Sequence, residues 1–344
     1  MEMVQFHPTG LLAGPDTRMT GTVLEEGLRG SGGWLTDGTG ARFMHAYDPR
    51  GERATRDIVC RAIIDRLRQG HGGPNGGVFI EMAHLGPDNV RRAFKGMVER
   101  CADCGFDLAG GRVEVIPTAH YMMGGVVFAP DCTTELAGLY AAGEDTGGVH
   151  GANRLGGNGV ANSTVFGALA GDAIARQTKR GTPLPDVDRA ALEAARARAF
   201  GPLGRRAGDL TAIRRRLHDV MWDDVGILRS PDGLQRGREA LDALWAEIAA
   251  AGTGDAQPRY NLTWMDRLNL ENLILTSRAI CAAALARTDS RGAHFREDHP
   301  RASDHATSRY TIARLRDDRI IMDSAPVAFT RVKPGETLLA TAAE

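Results

Sequence analysis

Four short segments of the chain place a histidine or an arginine beside glycine or proline, where strand-like runs end in turns. These residues are His7 in QFHPTG, Arg56 in RATRDIV, His120 in TAHYMMGG and Arg154 in HGANRLGG. Glycine at such turns lets a ligand approach the backbone closely. Taken singly, each residue is more often structural, as a hydrogen-bonded turn histidine or a solvated arginine. Together, the two imidazoles and two guanidiniums would suit a small anion such as a dicarboxylate.

Two acids and a base lie within one turn of each other in the segment LEEGLRG. They are Glu25, Glu26 and Arg29. One interpretation is a surface ion-pair pattern, which contributes little to stability. The other is a path for protons through carboxylate and guanidinium groups.

A glycine-ringed helix start follows the apolar segment GLYAAGED, in GANRLGGNGV. The unpaired backbone N–H groups at such a start favour negative charge. The chain has no G-x-G-x-x-G fingerprint with a following acid, no G-x-S-x-G elbow and no Walker loop. Hydrolase and nucleoside triphosphatase functions therefore gain little support.

The overall charge of the 344-residue chain argues against a nucleic-acid partner. Its formal net charge is −1, with no broad basic face. The basic residues are almost all arginine, which base composition explains and which a carboxylate-binding protein also tolerates. The length allows about two domains and a sizeable core.

The five cysteines are scattered, which is not the pattern of a secreted disulfide framework. Cys101 and Cys104 form a C-x-x-C pair, but no second pair completes a zinc site, so we predict no metal. The chain has neither an 18-residue apolar run nor a secretory signal pattern at its start. We expect a cytoplasmic protein.

The pattern of elements predicts a mixed α+β and α/β fold with several domains. Residues 1–115 alternate strand-like runs with turns and two helices, over TRDIVCRAIIDRLRQG, with Gly70 as a C-cap, and over PDNVRRAFKGMVERCADCG. Strands are predicted in VEVIPTAHYMMGGVVF and GLYAAGED, followed by a long buried helix that turns Val165, Phe166, Leu169, Ala170 and Ile174 to one face.

The rest of the chain reads as a linker, a helical region and a tail. RGTPLPDVDRA is the predicted linker. Residues 187–288 predict three or four packed antiparallel helices, with GILRSPDGLQRG as a turn between two of them. The predicted apolar faces are Leu217, Val220 and Met221; Leu241, Leu244 and Ile248; and Leu270, Leu273, Ile274 and Cys281. The last 40 residues return to strand-like runs.

Eight segments in this order resemble the succinate dehydrogenase/fumarate reductase flavoprotein family. They are VQFHPTG, EEGLRGSGGWL, GARFM, TRDIVCRAI, IPTAHYMMGG, GLYAAGE, VHGANRLGGNG and SRGAHFRED. Members of that family normally begin with a dinucleotide-binding half that carries a glycine fingerprint. The chain is therefore expected to be a C-terminal fragment that lacks this half and would be inactive alone.

The resemblance implies four domains. These are a capping domain at 1–115, the C-terminal part of a Rossmann-like FAD domain at 116–180, a helical bundle at 187–300 and a β-containing tail at 301–344. It also implies hydride transfer between the flavin N5 of FAD and a C4 dicarboxylate, in the interconversion of succinate and fumarate. An iron–sulfur subunit and membrane-anchor subunits are the implied partners, through which the protein would associate with a membrane.

The resemblance also assigns roles to individual residues. His7 and His120 resemble ligands of the substrate carboxylates, and Arg154 resembles the arginine that clamps one carboxylate. Arg56 takes the place of the proton donor, with Glu26 and Arg29 as its relay. The implied flavin-binding residues are Gly143, Glu144, Asn158, Gly159 and Val160, the last three at a helix start that would stabilise a reduced, anionic ring.

Several residues depart from the family pattern. Glu25 stands where the family usually has a threonine that binds substrate carboxylate, and an acid there would repel the substrate unless it turned away. Gly159 replaces a serine, and the loop after HPTG is longer than the usual form. The alternative functions are an L-aspartate oxidase or a related dicarboxylate oxidoreductase, and, from another class, a truncated non-catalytic binding module.

Overall fold

The computed structural model describes residues 1–14, 17–179 and 186–336. The described chain divides into two compact units. The N-terminal unit comprises Met3–Met123 together with Gly151–Leu155, and the C-terminal unit comprises Met1–Glu2, Gly124–His150 and the chain from Gly156 onward. Among the described residues, no helix has the length and apolar character needed to cross a bilayer.

The N-terminal unit is built on an antiparallel sheet of four strands in the order β1-β4-β3-β2. The strands are β1 Val4–Leu11, β2 Trp34–Thr36, β3 Val78–Glu81 and β4 Arg112–Met122. Apolar side chains from these strands and from the neighbouring helices make one buried core, which includes Leu11, Leu35, Ile80 and Val113. The predicted strands in this region are therefore present.

Four short or medium helices accompany this sheet. They are α1 Gly27–Gly30, α2 Arg56–Arg68, α3 Pro87–Ala93 and α4 Lys95–Ala102. Helix α2 packs against β1 and buries Val59, Cys60 and Ile63. It ends at Arg68, and its C-cap is Gln69 rather than the predicted Gly70, which follows one residue later with a φ of +81°, a conformation that glycine adopts without strain.

The single helix predicted over PDNVRRAFKGMVERCADCG is wrong in one respect. The segment forms two helices, α3 and α4, because Phe94 leaves the helical region with φ −125° and ψ 37°. The Phe94 side chain is partly buried against the core of the unit. Burial of this aromatic side chain accompanies the break.

The C-terminal unit contains a long helix, a group of four further helices and a β-hairpin. These elements are α5 Asn158–Lys179, α6 Arg189–Phe200, α7 Leu210–Asp223, α8 Pro231–Ala250, α9 Leu262–Ala286, β5 Arg309–Arg316 and β6 Arg319–Pro326. Side chains of Asp188, Asp209, Ser230 and Asn261 cap α6 to α9 by accepting hydrogen bonds from first-turn N–H groups. The predicted helical region is therefore present. In the tail, the run RYTIARLRDDRIIM forms the hairpin, whereas the second strand-like run, APVAFTRV, is extended only at its first two residues.

Three details of the predicted helical region need correction. The turn predicted over GILRSPDGLQRG ends at Ser230, because Pro231 is favourable at the first position of α8. Leu273 is exposed, although Leu270 and Ile274 beside it are buried. On α7 the fully buried residues are Leu210, Ile213 and Leu217, whereas Val220 and Met221 are only partly buried.

Two other predictions were wrong in the C-terminal unit. GLYAAGED contains no strand, since only Tyr140 pairs, in an isolated bridge with Thr133. Helix α5 is present but largely exposed: on the predicted face Ala170 is buried and Phe166 is half-buried against Phe128, while Val165, Leu169 and Ile174 remain exposed. Residues 180–185 of the predicted linker lie outside the described residues.

Candidate active site

Strand β1 carries three buried polar side chains at alternate positions, Gln5, His7 and Thr9. The pairing of β1 with β4 shifts register on both sides of His7, between Gln5 and Phe6 and between His7 and Gly10. Such irregularities re-aim side chains locally. His120 lies on β4, and its ring centroid is 5.3 Å from that of His7. The structure thus brings together the two histidines predicted from the sequence.

His7 is held as a neutral imidazole. Burial, followed by the positive charges of Arg56 and Arg29, lowers the pKa of His7 to about 3. The backbone N–H of Thr9 lies 3.3 Å from His7 Nδ1, which must accept this hydrogen bond. The ring proton therefore sits on Nε2, so His7 can donate a hydrogen bond there without carrying charge.

Glu26 joins two guanidinium groups. Its Oε1 accepts a hydrogen bond from Arg29 Nη2 at 2.9 Å. Its Oε2 accepts from Arg56 Nε at 3.0 Å and from Arg56 Nη2 at 2.5 Å. Burial raises the pKa of Glu26, but the hydrogen bond and charge of Arg56, together with Arg29, outweigh it and lower the pKa overall. Glu26 is therefore a carboxylate at neutral pH.

Arg29 is the most deeply buried member of this group. Its side chain is 2% exposed, and Nη1 donates to the backbone oxygen of Glu52 at 2.5 Å. Burial lowers the pKa of Arg29, against the opposing charge of Glu26. Because one end of Arg29 is held by a backbone carbonyl, the other end is held in place against Glu26.

Arg56 is the first residue of α2, and Thr55 before it is extended, with φ −63° and ψ 153°. This helix start presents the Arg56 side chain to β1, where Nη1 donates to Gln5 Oε1 at 3.0 Å. Arg56 therefore links Glu26 to the buried polar row of β1.

Arg154 reaches the same glutamine from the segment Gly151–Leu155. Its Nη2 donates to Gln5 Oε1 at 3.0 Å, and its guanidinium carbon lies 4.3 Å from the centroid of the Tyr121 ring. We call Arg29, Arg56, Arg154 and Glu26 the arginine cluster. Three guanidiniums and one carboxylate leave an excess of two positive charges, which is suited to a dianion.

Glu25 is not hydrogen-bonded to the arginine cluster in the described chain. Its side chain is exposed and lies over Gly27. A Cβ added to Gly27 would be 3.8 Å from the Glu25 carboxyl carbon and 3.5 Å from the Phe94 ring. Glu25 and Glu26 are adjacent, yet only Glu26 joins the cluster. An acid at this position was expected to repel an anionic substrate unless it turned away from the site, and the exposed side chain of Glu25 is relevant to that condition.

Gln5 is the residue of this site that sequence reasoning missed. It is 1% exposed and lies at the centre of the hydrogen bonds described above. The signal that could have found it was the row of polar residues at alternate positions of β1, Gln5, His7 and Thr9, in an otherwise buried strand. Such a row on a core strand indicates a polar surface that is not solvated.

The predicted flavin-binding residues lie in the C-terminal unit. Gly143 has a φ of +94°, and its carbonyl accepts from Asn162 Nδ2 at 3.0 Å, which ties this loop to the first turns of α5. Gly157, just before α5, has a φ of +82°. Val160 is 77% exposed and Glu144 is also exposed.

These residues fit a ligand that is anionic at one edge and apolar over a face. The start of a helix of 22 residues supplies N–H groups and a positive dipole end, and Val160 supplies exposed apolar surface. A flavin ring has both properties. The set Gly143, Glu144, Asn158, Gly159 and Val160 is therefore compatible with FAD.

Of the C-x-x-C pair, Cys101 is buried and Cys104 is partly buried. Burial raises the pKa of Cys101 to about 12, so its thiol stays protonated. Across the part of the chain that the structure describes, no group of three or more histidine, cysteine or acidic side chains could hold a metal ion.

Comparison with known proteins identifies the family. Residues 1–160 match the family described as FAD binding domain, and residues 214–338 match the one described as fumarate reductase flavoprotein C-term. The chain is 39% identical over 300 residues to a subunit of the fumarate reductase (CoM/CoB) of Methanothermobacter marburgensis, covering 87% of this chain and 54% of that protein.

It is also 34% identical over 329 residues to the L-aspartate oxidase of Streptomyces coelicolor, covering 93% of this chain and 54% of that protein. A solved quinol–fumarate reductase with menaquinol superposes with a TM-score of 0.85 at 31% identity, covering 97% of this chain and 61% of that one. The chain thus spans about half the length of the curated relatives it matches. It belongs to the succinate dehydrogenase/fumarate reductase flavoprotein family, whose cofactor is FAD.

Proposed function

We propose that the polypeptide containing this chain interconverts fumarate and succinate with FAD as its redox cofactor. The observation that carries the proposal is Glu26, which bridges Arg56 and Arg29 beside the neutral His7. A guanidinium paired with a carboxylate, next to a neutral hydrogen-bond donor and an excess of positive charge, suits proton transfer to a bound dianion.

Substrate binding falls to three residues in this proposal. His7 donates from Nε2 to a substrate carboxylate, and His120 beside it serves the same end. Arg154 holds a carboxylate by charge-assisted hydrogen bonds and polarises it. Because these groups are largely fixed before the substrate binds, they need little reorganisation during the reaction.

Proton transfer falls to Arg56. Arginine is a weak acid with a pKa above 12, so it can donate only if a neighbouring group returns the proton at once. Glu26 is hydrogen-bonded to Arg56 at 2.5 Å, and its side chain is 42% exposed, which gives it contact with solvent. Arg29 acts with Glu26 in the relay, and its bond to the Glu52 backbone keeps it in place.

When bound, FAD would accept the hydride that leaves succinate or donate the hydride that adds to fumarate. Gly143, Glu144, Asn158, Gly159 and Val160 would hold it, with the N–H groups at the start of α5 facing its anionic edge. In this proposal residues 1–115 are the capping domain, 116–180 the returning part of the FAD domain, 187–300 the helical domain and 301–344 the tail. Iron–sulfur and membrane-anchor subunits would be the chain's partners.

A second candidate function is L-aspartate oxidation. The 34% identity to the Streptomyces coelicolor enzyme supports it, and that enzyme is named for an amino dicarboxylate. The two functions share the need for carboxylate ligands but differ in the group beside the reacting carbon. Among the described residues, the acidic member of the arginine cluster, Glu26, is already paired with two guanidiniums, so the cluster is better suited to carboxylates than to an amino group, which favours fumarate and succinate.

The decisive experiment assays the flavin-loaded polypeptide with succinate, fumarate and L-aspartate side by side. We expect turnover of fumarate or succinate to exceed that of L-aspartate by at least about tenfold. Dominant L-aspartate oxidation would support the second candidate. Purified protein without flavin absorbance would instead favour a non-catalytic binding module.

A further inference from the structure

Gln5 uses both ends of its amide group inside the candidate site. Oε1 accepts a hydrogen bond from Arg56 Nη1 and another from Arg154 Nη2, each at 3.0 Å. Nε2 donates to Asn153 Oδ1 at 2.9 Å and to the backbone oxygen of Arg154 at 2.8 Å. A buried primary amide has two donors and two acceptor sites, so this glutamine is fully used.

The orientation of this amide has only one solution. The backbone oxygen of Arg154 can only accept, and both guanidiniums can only donate. Asn153 is itself oriented by Asp57, whose Oδ1 accepts from Asn153 Nδ2 at 2.9 Å, so Asn153 Oδ1 must face Gln5. A flipped Gln5 would place its NH₂ group against two cations and its oxygen against two acceptors.

One oxygen atom therefore holds two like-charged groups. The guanidiniums of Arg56 and Arg154 repel each other, and a shared neutral acceptor fixes both without cancelling their charge. A carboxylate at this point would also bind them but would remove half of the excess positive charge of the arginine cluster. A neutral amide retains the attraction for a dianion.

We propose that Gln5 is a positioning residue, which sets the spacing and orientation of the proton donor Arg56 and the carboxylate clamp Arg154. The inference rests on the proposed function of these two arginines. It predicts that Gln5→Met and Gln5→Glu, two substitutions of similar size, change kcat and KM differently. Misplacement of a reacting group by about 1 Å costs on the order of 100-fold in rate.

In the flavin-loaded polypeptide, Gln5→Met removes the shared acceptor while keeping the volume. We expect kcat to fall at least about 30-fold, with KM changing less than about threefold. Gln5→Glu keeps an acceptor for both arginines but adds negative charge. We expect its KM to rise about tenfold or more, while kcat falls less than in Gln5→Met.

A matched control is Thr36→Val, which removes another buried polar group from the same sheet. Thr36 Oγ1 donates to Glu81 at 2.6 Å and contacts no member of the arginine cluster in the described chain. This variant should lower the melting temperature without moving kcat or KM. If the Gln5 variants lower the melting temperature but keep kcat and KM within about threefold of wild type, the positioning role is overturned.

A binding measurement separates this inference from the proposed function. If the wild type turns over no C4 dicarboxylate, the proposed function fails, and calorimetric titration with malonate still tests Gln5. We expect malonate to bind at least about tenfold more weakly to Gln5→Glu, which adds negative charge beside both arginines, than to wild type. Equal binding to the two, or no binding to the wild type, would overturn the inference.

Discussion

The two units of the molecule each contain a buried group of arginines and a buried histidine, and their arrangements differ. The N-terminal unit has the arginine cluster and His7. The C-terminal unit has Arg229, Arg287, Glu2, Asp289 and His294, which we call the second cluster. His7 and His294 both have a pKa of about 3, in each case through burial first and nearby arginine charge second.

The ion pairs themselves also look alike. Arg56 Nη2 lies 2.5 Å from Glu26 Oε2, and Arg287 Nε lies 2.5 Å from Glu2 Oε1. Burial lowers the pKa of Arg29 in one cluster, and it lowers the pKa of Arg229 to about 10 in the other. Burial, charge and these pKa directions therefore do not distinguish the proposed reaction site from the second cluster.

The two clusters differ in the number of hydrogen-bond acceptors available to each arginine. Arg229 donates to the backbone oxygens of Val225, Gly226 and Glu2 and contacts His294. Arg287 donates to Glu2, Asp289, the backbone of Arg309 and Thr311. Each arginine of the second cluster has several acceptors spread around it, so its function is to connect segments of chain.

In the arginine cluster, by contrast, one acceptor residue serves two arginines. Gln5 Oε1 serves both Arg56 and Arg154, and Glu26 serves both Arg56 and Arg29. Shared acceptors hold several cations close together around few anions. Repulsion among these cations costs stability, and a bound dianion would offset that cost.

The largest expected effect is on stability, in the second cluster. Arg287→Met leaves the buried Glu2 and Asp289 with fewer partners, which should lower the free energy of unfolding by about 3 kcal/mol. The measurement is urea denaturation, with kcat determined on the folded protein. A fall in kcat of more than about threefold, with flavin retained, would show that the second cluster also serves the reaction.

The next effect concerns substrate binding. Arg154→Met removes a buried guanidinium from the arginine cluster, and we expect kcat/KM for the C4 dicarboxylate to fall about 100-fold or more. Steady-state kinetics of the flavin-loaded polypeptide measure it. Arg91→Met, on α3, is the control: its exposed side chain pairs with Asp88, and its replacement should change kcat/KM less than about threefold. Similar values for both variants would contradict the clamp role.

A similar or smaller loss is expected at the relay. Glu26→Gln keeps a hydrogen-bond acceptor but removes the base that returns a proton to Arg56, so we expect kcat to fall about 100-fold. KM should change little, because Glu26 does not hold the substrate in this account. The control is Glu25→Gln, at the exposed residue next to Glu26. If Glu26 is the relay, kcat should change much less in this control than in Glu26→Gln.

The smallest effect is the pH dependence of stability. The unfolded chain binds a proton at His7 near pH 6.5, whereas the folded chain does so only near pH 3, so folding is less favourable as pH falls between these values. From about pH 7.5 to about pH 5 this histidine should cost about 2 kcal/mol. His7→Gln should remove that part of the slope in urea denaturation; an unchanged slope would show that His7 titrates normally.

The sequence predicted much of the fold because local patterns decide it. Strand β1, helix α2 with Gly70 after it, and helices α6 to α9 follow from the spacing of apolar residues and from the turn residues between them. The break at Phe94 and the exposed face of α5 could not be predicted. Both depend on what lies next to the segment in space, and periodicity does not report that.

The candidate site was predictable in residue types but not in geometry. Glu26 and Arg29 are one turn apart, yet nothing in their spacing shows that Arg56 completes the group from another helix. The order of family motifs supplied that expectation. Gln5 was missed because a glutamine has no pKa or charge to draw attention, and its function arises only from the two arginines that share its oxygen.

The central claim is that Arg56 donates the proton, held for this task by Glu26 and Gln5. The most direct test is the rate of fumarate reduction by flavin-loaded Arg56→Lys. Lysine offers one point charge and cannot reach both acceptors as the planar guanidinium does. We predict that kcat falls at least about 100-fold while the flavin absorbance is unchanged. A variant that keeps more than about a tenth of the wild-type rate would contradict the claim.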